Sequence, residues 1–113
     1  MRIINQTKNT LLAKEAVIAE RLIKRTKGLL DRTSFKFGEG IVIRPCKSVH
    51  TWFMAFPIDV VFVGKDSRVL RTIPNLRPFR ITPLFFKAGY VIELPIGTIQ
   101  RTETCESDLI LLE

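Results

Sequence analysis

The sequence predicts an α+β fold: a compact, mostly-β, barrel-like domain of about seven short strands with one main helix over about residues 20–32. Its 113 residues suit a single domain spanning 1–113, and its 46% hydrophobic content is that of a globular protein. Short apolar runs separated by Pro, Gly and Asp-Ser turns recur along the chain, which is typical of strands. Only one segment repeats its apolar residues with helical spacing.

The first elements are two strands and the helix. "RIINQT" alternates weakly and predicts a strand. "LLAKEAVIA" indicates a second strand, although its Ala and Glu residues make the pattern ambiguous. "ERLIKRTKGLLDR", Glu20–Arg32, follows as the helix. One face of this helix is apolar and should pack inward: Leu22, Ile23, Thr26, Leu29 and Leu30.

The middle of the chain carries the most apolar strands. "IVIRP" predicts a buried strand that ends at Pro45. "VHTWFMAF" and "IDVVFVG" predict two strands, or one strand interrupted at Pro57. The run Val60–Val63 is apolar on both faces, so this strand should be central in its sheet. "KDS" then predicts a tight turn into "RVLRTI", which makes a hairpin.

Two further strands close the domain, "AGYVIELPIG" and "SDLILLE". The segment "PNLRPFRITPLFFK" between them and the hairpin contains three prolines, so it cannot form one regular strand.

Positive charge is concentrated in part of the sequence. The net charge is +7, and residues 65–87 contain six Lys or Arg against Asp66 alone. Such separation favours a basic face that attracts an anionic ligand, a nucleic acid or an acidic protein. Excess Lys and Arg also serve solubility alone, which is the simpler interpretation.

The sequence indicates a cytoplasmic protein. "MRIINQTKNT" contains no apolar run that could form the core of a signal peptide. No window reaches the roughly 20 apolar residues of a membrane span. Two cysteines, Cys46 and Cys105, are too few for a disulfide scaffold and fit reduced thiols. No motif implies a resident cofactor or metal.

Three phrases together resemble the bacterial and archaeal domain of unknown function 192 (DUF192): "RTKGLLDR", "VHTWFMAFPIDVVFV" and "YVIELPIG", in that order. The resemblance implies a compact, mostly-β domain with a helix after the first strands. It carries over no reaction, because the family has no established biochemical role. The family pattern falls on Arg25, Gly28, Arg32, His50, Trp52, Met54, Asp59, Glu93 and Gly97. Ser107-Asp108 replaces the family's Gly-Asp turn, and the secretion signal common in the family is missing here.

Two carboxylates predict a polar site inside the apolar core. Asp59 lies within a buried run, and Glu93 lies within "YVIELP". A buried carboxylate needs a partner, because burying an isolated charge costs several kcal/mol. We expect Arg25 and Arg32 of the helix to pair with both, in a network that is either structural or the lining of a pocket. With the neighbouring motif residues, the candidate polar pocket comprises Arg25, Arg32, His50, Trp52, Asp59 and Glu93.

The same motif permits two chemical alternatives and a structural one. Cys46, His50 and Asp59 could act as nucleophile, base and orienting group. The same three with Cys105 could bind a metal, although the spacing lacks the paired ligands of structural zinc sites. More simply, Cys46 and the aromatic residues are core, and His50 is a satisfied core histidine.

The proline-broken segment is the second candidate site. Arg77 and Arg80 form a candidate anion surface, and basic and aromatic groups interleave around them, a mixture suited to single-stranded nucleic acid. The further members are Phe79, Phe85, Phe86 and Lys87. Alternatively, the phenylalanines plug an open end of the sheet.

Two functions follow from these two sites. The first is a non-catalytic binding or accessory module with a basic face for an anionic partner. The alternative is a small-molecule pocket protein or enzyme that uses His50, Asp59, Glu93 and the helix arginines.

Overall fold

Eight strands and one short helix make up the regular structure of residues 1–19, 35–52 and 54–113, which are the residues that the computed structural model describes. The helix predicted over residues 20–32 lies outside these residues. In chain order the elements are β1 (Ile3–Asn5), β2 (Thr10–Ala13), β3 (Glu15–Ala19), β4 (Glu39–Ile43), β5 (Ile58–Gly64), β6 (Val69–Leu76), β7 (Ala88–Leu94), α1 (Thr98–Thr102) and β8 (Ile110–Leu112).

The two ends of the chain meet in a three-stranded antiparallel sheet with the order β2-β1-β8. β1 lies in the centre of this sheet, so its residue Ile3 is fully buried. Beyond the strand ends, backbone hydrogen bonds continue the pairing between Arg2 and Glu113. The first and last strands are therefore held by one another.

A five-stranded sheet has the order β3-β4-β7-β5-β6. Its strands are antiparallel except for the parallel pair β3 and β4. Within the described ranges the strands form two separate sheets and no closed barrel, so the mostly-β prediction holds but the barrel-like one is not confirmed.

The larger sheet is apolar on both faces, as the run in β5 predicted. Val61 and Val63 face a core that also contains Ile3 and Leu12 of the three-stranded sheet. Phe62 and the alternate residues of β5 face a second core, which covers the opposite side. All seven residues of β5 are buried, and it pairs with both β6 and β7. The predicted central position of this strand and its hairpin with β6 are confirmed.

Three segments differ from the sequence prediction. "LLAKEAVIA" is two strands, because the N–H groups of Lys14 and Glu15 both donate to Gly38 O (2.9 and 3.0 Å) and redirect the chain into the second sheet. "VHTWFMAF" is not a strand in its described residues, which contain one isolated bridge from His50 to Ile81. The short helix α1 was not predicted, because five residues give too short a pattern to recognise.

Among the described residues, no helix combines the length and the apolar character needed to cross a membrane.

Candidate functional site

Asp59 lies at the start of β5 and is 1% exposed. Its Oδ1 accepts a hydrogen bond from the backbone N–H of Asn75 and its Oδ2 one from that of Ile99, both at 2.9 Å. Ile99 is in the first turn of α1, whose N-cap residue Gly97 has no side chain to cap the helix. Asp59 therefore supplies the cap from another element, and both of its oxygens bind backbone N–H groups.

Gly97 belongs to the same arrangement. Its φ of +90° lies in the left-handed region, which glycine adopts at little cost. Two residues picked out by the family pattern, Asp59 and Gly97, thus meet at the start of one short helix.

Glu93 is also buried, at 1% exposed, on β7. It lies opposite Ile41 of β4 and Val60 of β5 in the two strand pairs. Arg25 and Arg32, the predicted partners of the two carboxylates, lie outside the described residues. The Arg–carboxylate network remains a prediction, while the backbone partners of Asp59 are a finding that the sequence did not suggest.

His50 and Trp52 lie on an exposed segment rather than in the buried sheet. Side chains alternate here as in a strand: Val49 and Thr51 are buried, whereas His50 and Trp52 are exposed. Trp52 is 42% exposed, so the core interpretation of this tryptophan is wrong. Two members of the predicted polar pocket, His50 and Trp52, therefore face solvent, whereas Asp59 and Glu93 are buried.

The proline-broken segment, residues 74–87, runs beside residues 47–51, and backbone hydrogen bonds join the two. The backbone N–H of Phe85 donates to Lys47 O (2.8 Å), and that of Thr82 donates to Val49 O (2.9 Å). The bridge between His50 and Ile81 follows these two contacts, and a further backbone hydrogen bond at Thr51 comes after it. Side chains of bridged residues lie on the same side of a strand pair, so His50 and Ile81 share the exposed face.

Thr51 fixes the tight turn at residues 77–80. Its hydroxyl donates to Arg77 O (2.6 Å) and accepts from the Arg80 N–H (2.9 Å). The backbone N–H of Phe79 donates to Thr51 O (3.0 Å). Thr51 is fully buried, so one hydroxyl holds both ends of the Arg77–Arg80 turn against the segment that carries Trp52.

The turn holds Phe79 in a strained backbone conformation. Its φ is +59°, in the left-handed region that costs an L-residue roughly 1–2 kcal/mol. In this conformation the Phe79 ring lies edge-on to Trp52, with ring centroids 6.1 Å apart and planes inclined by 61°. Phe79 is nevertheless 52% exposed, so the strain presents an aromatic ring to solvent rather than burying it.

Two adjacent phenylalanines farther along the segment have opposite roles. Phe85 packs on Phe62 of β5, with ring centroids 4.5 Å apart. Phe86 is 72% exposed. Phe85 thus anchors the segment on a face of the five-stranded sheet, and Phe86 does not.

We call the exposed group built on this scaffold the aromatic–basic surface: His50, Trp52, Arg77, Phe79, Arg80 and Ile81. Residues 40–58 and 67–92, which contain it, include seven Lys or Arg and no Asp or Glu. The arginines Arg77 and Arg80 are both exposed. The surface is therefore apolar, aromatic and positively charged at once.

The metal alternative does not fit the structure. Within the described ranges, no three or more His, Cys, Asp and Glu side chains are placed to hold a metal ion. Cys46 is buried in the second core, and its Sγ donates to Ser48 O at 3.0 Å. Cys105 lies elsewhere, beside Lys8 and Asp108. Cys46, His50, Asp59 and Cys105 are therefore not a metal-ligand set.

The nucleophile alternative required Asp59 to orient His50. Both oxygens of Asp59 accept backbone N–H groups instead. The carboxylate is thus engaged in joining β5, β6 and α1, and nothing in its bonding supports a triad.

A polar cluster that the sequence did not reveal joins the chain ends. Asp108 Oδ2 accepts from Asn5 Nδ2, from Lys8 Nζ and from the Cys105 backbone N–H, at 2.9, 2.9 and 3.0 Å. Lys8 Nζ also donates to Cys105 Sγ (3.0 Å). Burial raises the pKa of Asp108, but the hydrogen bonds from Asn5, Cys105 and Lys8 outweigh burial and lower it to about 2. The hydrogen bond with Cys105 raises the pKa of Lys8 most, and the hydrogen bond with Asp108 raises it further.

Comparison with known proteins assigns the chain to a family. A model of the DUF192 family, described as "Uncharacterized ACR, COG1430", matches residues 3–111. A UPF0127 protein of Pyrococcus horikoshii is 36% identical over 98 residues, 84% of this chain and 84% of that protein. A UPF0127 protein of Thermococcus gammatolerans is 33% identical over 112 residues, 96% of this chain and 72% of that protein.

A solved structure shares the fold. The crystal structure of a protein of unknown function from Novosphingobium aromaticivorans matches with a TM-score of 0.84 at 22% identity, covering 99% of this chain and 84% of that one. The resemblance that the three motifs suggested is confirmed, and the chain belongs to the DUF192 family.

Proposed function

We propose that this protein is a non-catalytic binding module whose aromatic–basic surface takes an anionic partner. The observation that carries the proposal is the exposed Trp52–Phe79 pair, whose Phe79 belongs to the same turn as the exposed residues Arg77 and Arg80.

The exposed apolar side chains support a binding role. Phe79 and Ile81 are 52% and 66% exposed, beside Trp52. Single exposed apolar residues are ordinary, but a group of them on one face commonly marks a binding site. A partner that covers these rings would remove apolar area from water, at roughly 25 cal/mol per Å².

The rigidity of the scaffold supports it as well. Hydrogen bonds from the buried Thr51 hydroxyl fix the turn, and Phe85 anchors the segment on β5. The surface is therefore preorganised, so binding needs little ordering of the backbone.

The charge determines the kind of partner. Seven basic residues and no acidic ones in residues 40–58 and 67–92 disfavour a cationic partner and attract an anionic one. Asp59 belongs to the scaffold in this proposal, because its two oxygens are occupied by backbone N–H groups.

The test is calorimetric titration with inorganic polyphosphate at several salt concentrations. We expect an affinity that falls steeply with salt, and a loss of about tenfold or more in the double variant Arg77→Ala/Arg80→Ala at low salt. The control is Lys14→Ala/Lys65→Ala, which removes two exposed charges outside residues 40–58 and 67–92. Equal losses of affinity in the two double variants would show that binding depends only on net charge. That result would contradict a specific surface.

A further inference from the structure

We infer that the anionic partner is a single-stranded nucleic acid, whose bases stack on Trp52 and Phe79 while its phosphates pair with Arg77 and Arg80. This inference rests on the proposed function and names the chemistry of its partner.

The aromatic pair indicates a partner with flat faces. The rings of Trp52 and Phe79 are inclined by 61°, so they do not stack on each other. They remain 42% and 52% exposed, which leaves ring area open for a base. Stacking on an aromatic side chain suits any base, because every base has a π-face.

The turn carries an arginine on each side of Phe79 along the chain. Arg77 O and Arg80 N both bond to the Thr51 hydroxyl, so the two residues flank Phe79 at one turn. In a nucleic-acid strand each base is attached between successive phosphates. An aromatic residue with an arginine on each side of it in one turn matches that alternation of flat base and charged backbone.

The strained φ of Phe79 supports the same inference. Gly or Asn would adopt +59° at lower cost, yet an exposed phenylalanine stands there. The Phe79 ring gains little from burial in the free protein. Its presence at this strained position is explained if the ring gains contact area in a complex.

A single strand fits better than the two other anionic macromolecules. In a duplex the base faces are stacked inside, so only the backbone could reach this surface. An acidic protein would satisfy the arginines, but it carries a flat group only at its aromatic residues, whereas every nucleotide of a single strand carries one. The surface therefore favours unstacked bases.

The experiment compares two strands that share a backbone. One is oligothymidylate of about 12 nucleotides, and the other is an abasic strand of the same length. Trp52 is the only tryptophan, so its fluorescence reports directly on the surface. We expect oligothymidylate to quench Trp52 and to bind about tenfold or more tightly than the abasic strand. A duplex of the same length and poly-glutamate should bind no better than the abasic strand.

Variants separate stacking from charge. Phe79→Ala should lower the affinity for oligothymidylate to near that for the abasic strand, and it should lower abasic binding far less. Phe37→Ala is the matched control, because Phe37 is 63% exposed but packs on Arg101 rather than on Trp52. Trp52→Leu, followed by anisotropy of a labelled strand, repeats the test at the second ring. Circular dichroism checks that each variant is folded.

The outcomes distinguish the inference from the proposed function. Equal, salt-dependent binding of both strands, lost in Arg77→Ala/Arg80→Ala, would overturn the nucleic-acid inference and keep the anion-binding module. Tighter binding of poly-glutamate would do the same and point to an acidic protein. If none of the strands, polyphosphate or poly-glutamate binds, the proposed function fails and the inference fails with it.

Discussion

The carboxylate of Asp59 on β5 accepts a hydrogen bond from the backbone N–H of Ile99 in α1, at 2.9 Å. Its other oxygen accepts from Asn75 of β6, a residue whose φ is +53°. One buried side chain thereby caps a helix whose N-cap is glycine and fixes an irregular point of a strand. Asp59 thus connects three elements of the fold.

Replacing this carboxylate by an amide should destabilise the fold. In Asp59→Asn, one of the two accepting oxygens becomes an NH₂ group that faces a backbone N–H. We expect the free energy of unfolding to fall by about 1.5–3 kcal/mol, the range for a hydrogen bond to a charged acceptor. Urea denaturation followed by circular dichroism measures the change.

Asp66→Asn is the matched control. Asp66 also accepts a hydrogen bond from a backbone N–H, that of Arg68 at 3.1 Å, but it is exposed. We expect a loss of about 0.5 kcal/mol there, because water replaces the lost contact. Similar losses in the two variants would show that burial and capping at Asp59 contribute little.

A substitution at Phe79 should separate stability from binding. Asparagine tolerates a φ of +59° better than phenylalanine does, and Phe79 is 52% exposed. We expect Phe79→Asn to change the free energy of unfolding by less than about 1 kcal/mol, because relief of backbone strain offsets the lost ring contacts. The same variant should lose binding to oligothymidylate. A destabilisation well above this range would mean that Phe79 is retained for packing.

Acid should weaken the cluster around Asp108. Its folded-state pKa of about 2 lies below the ordinary value of 3.8, so its contribution to stability is fully present above about pH 4. The contribution is lost as pH falls through about 2, and it amounts to at most about 2.5 kcal/mol. Urea denaturation at a series of pH values should show a steeper loss between pH 4 and pH 2 for the wild-type protein than for Asp108→Asn. Parallel curves of stability against pH for the two proteins would contradict the lowered pKa of Asp108.

The two cysteines should differ in reactivity. Cys105 is exposed, whereas Cys46 is 2% exposed and its thiol donates to Ser48 O. A thiol reagent should modify Cys105 rapidly, and Cys46 only under denaturing conditions. Cys105→Ser should abolish the rapid phase. Rapid modification of Cys46 in that variant would mean that the second core opens readily.

The sequence predicted the sheet better than the site. A strand with both faces apolar, such as β5, can only be central, so its placement followed from Val60–Val63 alone. "VHTWFMAF" carries a strand's alternation, and the side chains of residues 49–52 do alternate between core and solvent. Its described residues make only one isolated bridge, because the backbone N–H groups of Val49 and Arg80 donate to the hydroxyls of Thr82 and Thr51 rather than to the opposite carbonyls.

The candidate site required contacts that are distant in sequence. The sequence indicated that Asp59 needs a partner, but backbone N–H groups carry no residue type that would identify them. Trp52 was expected inside because large aromatic side chains are mostly buried. Its exposure follows from the alternation set by Thr51, whose hydroxyl bonds to residues 77 and 80. No local pattern relates these positions.

The measurement that tests the central claim most directly is amide chemical-shift mapping of labelled protein, titrated with oligothymidylate at low and moderate salt. We predict saturable shifts confined to residues 47–52 and 77–87, which weaken as salt rises and spare Phe37, Cys105 and Asp108. Shifts centred away from these two segments, or none at all, would contradict the account.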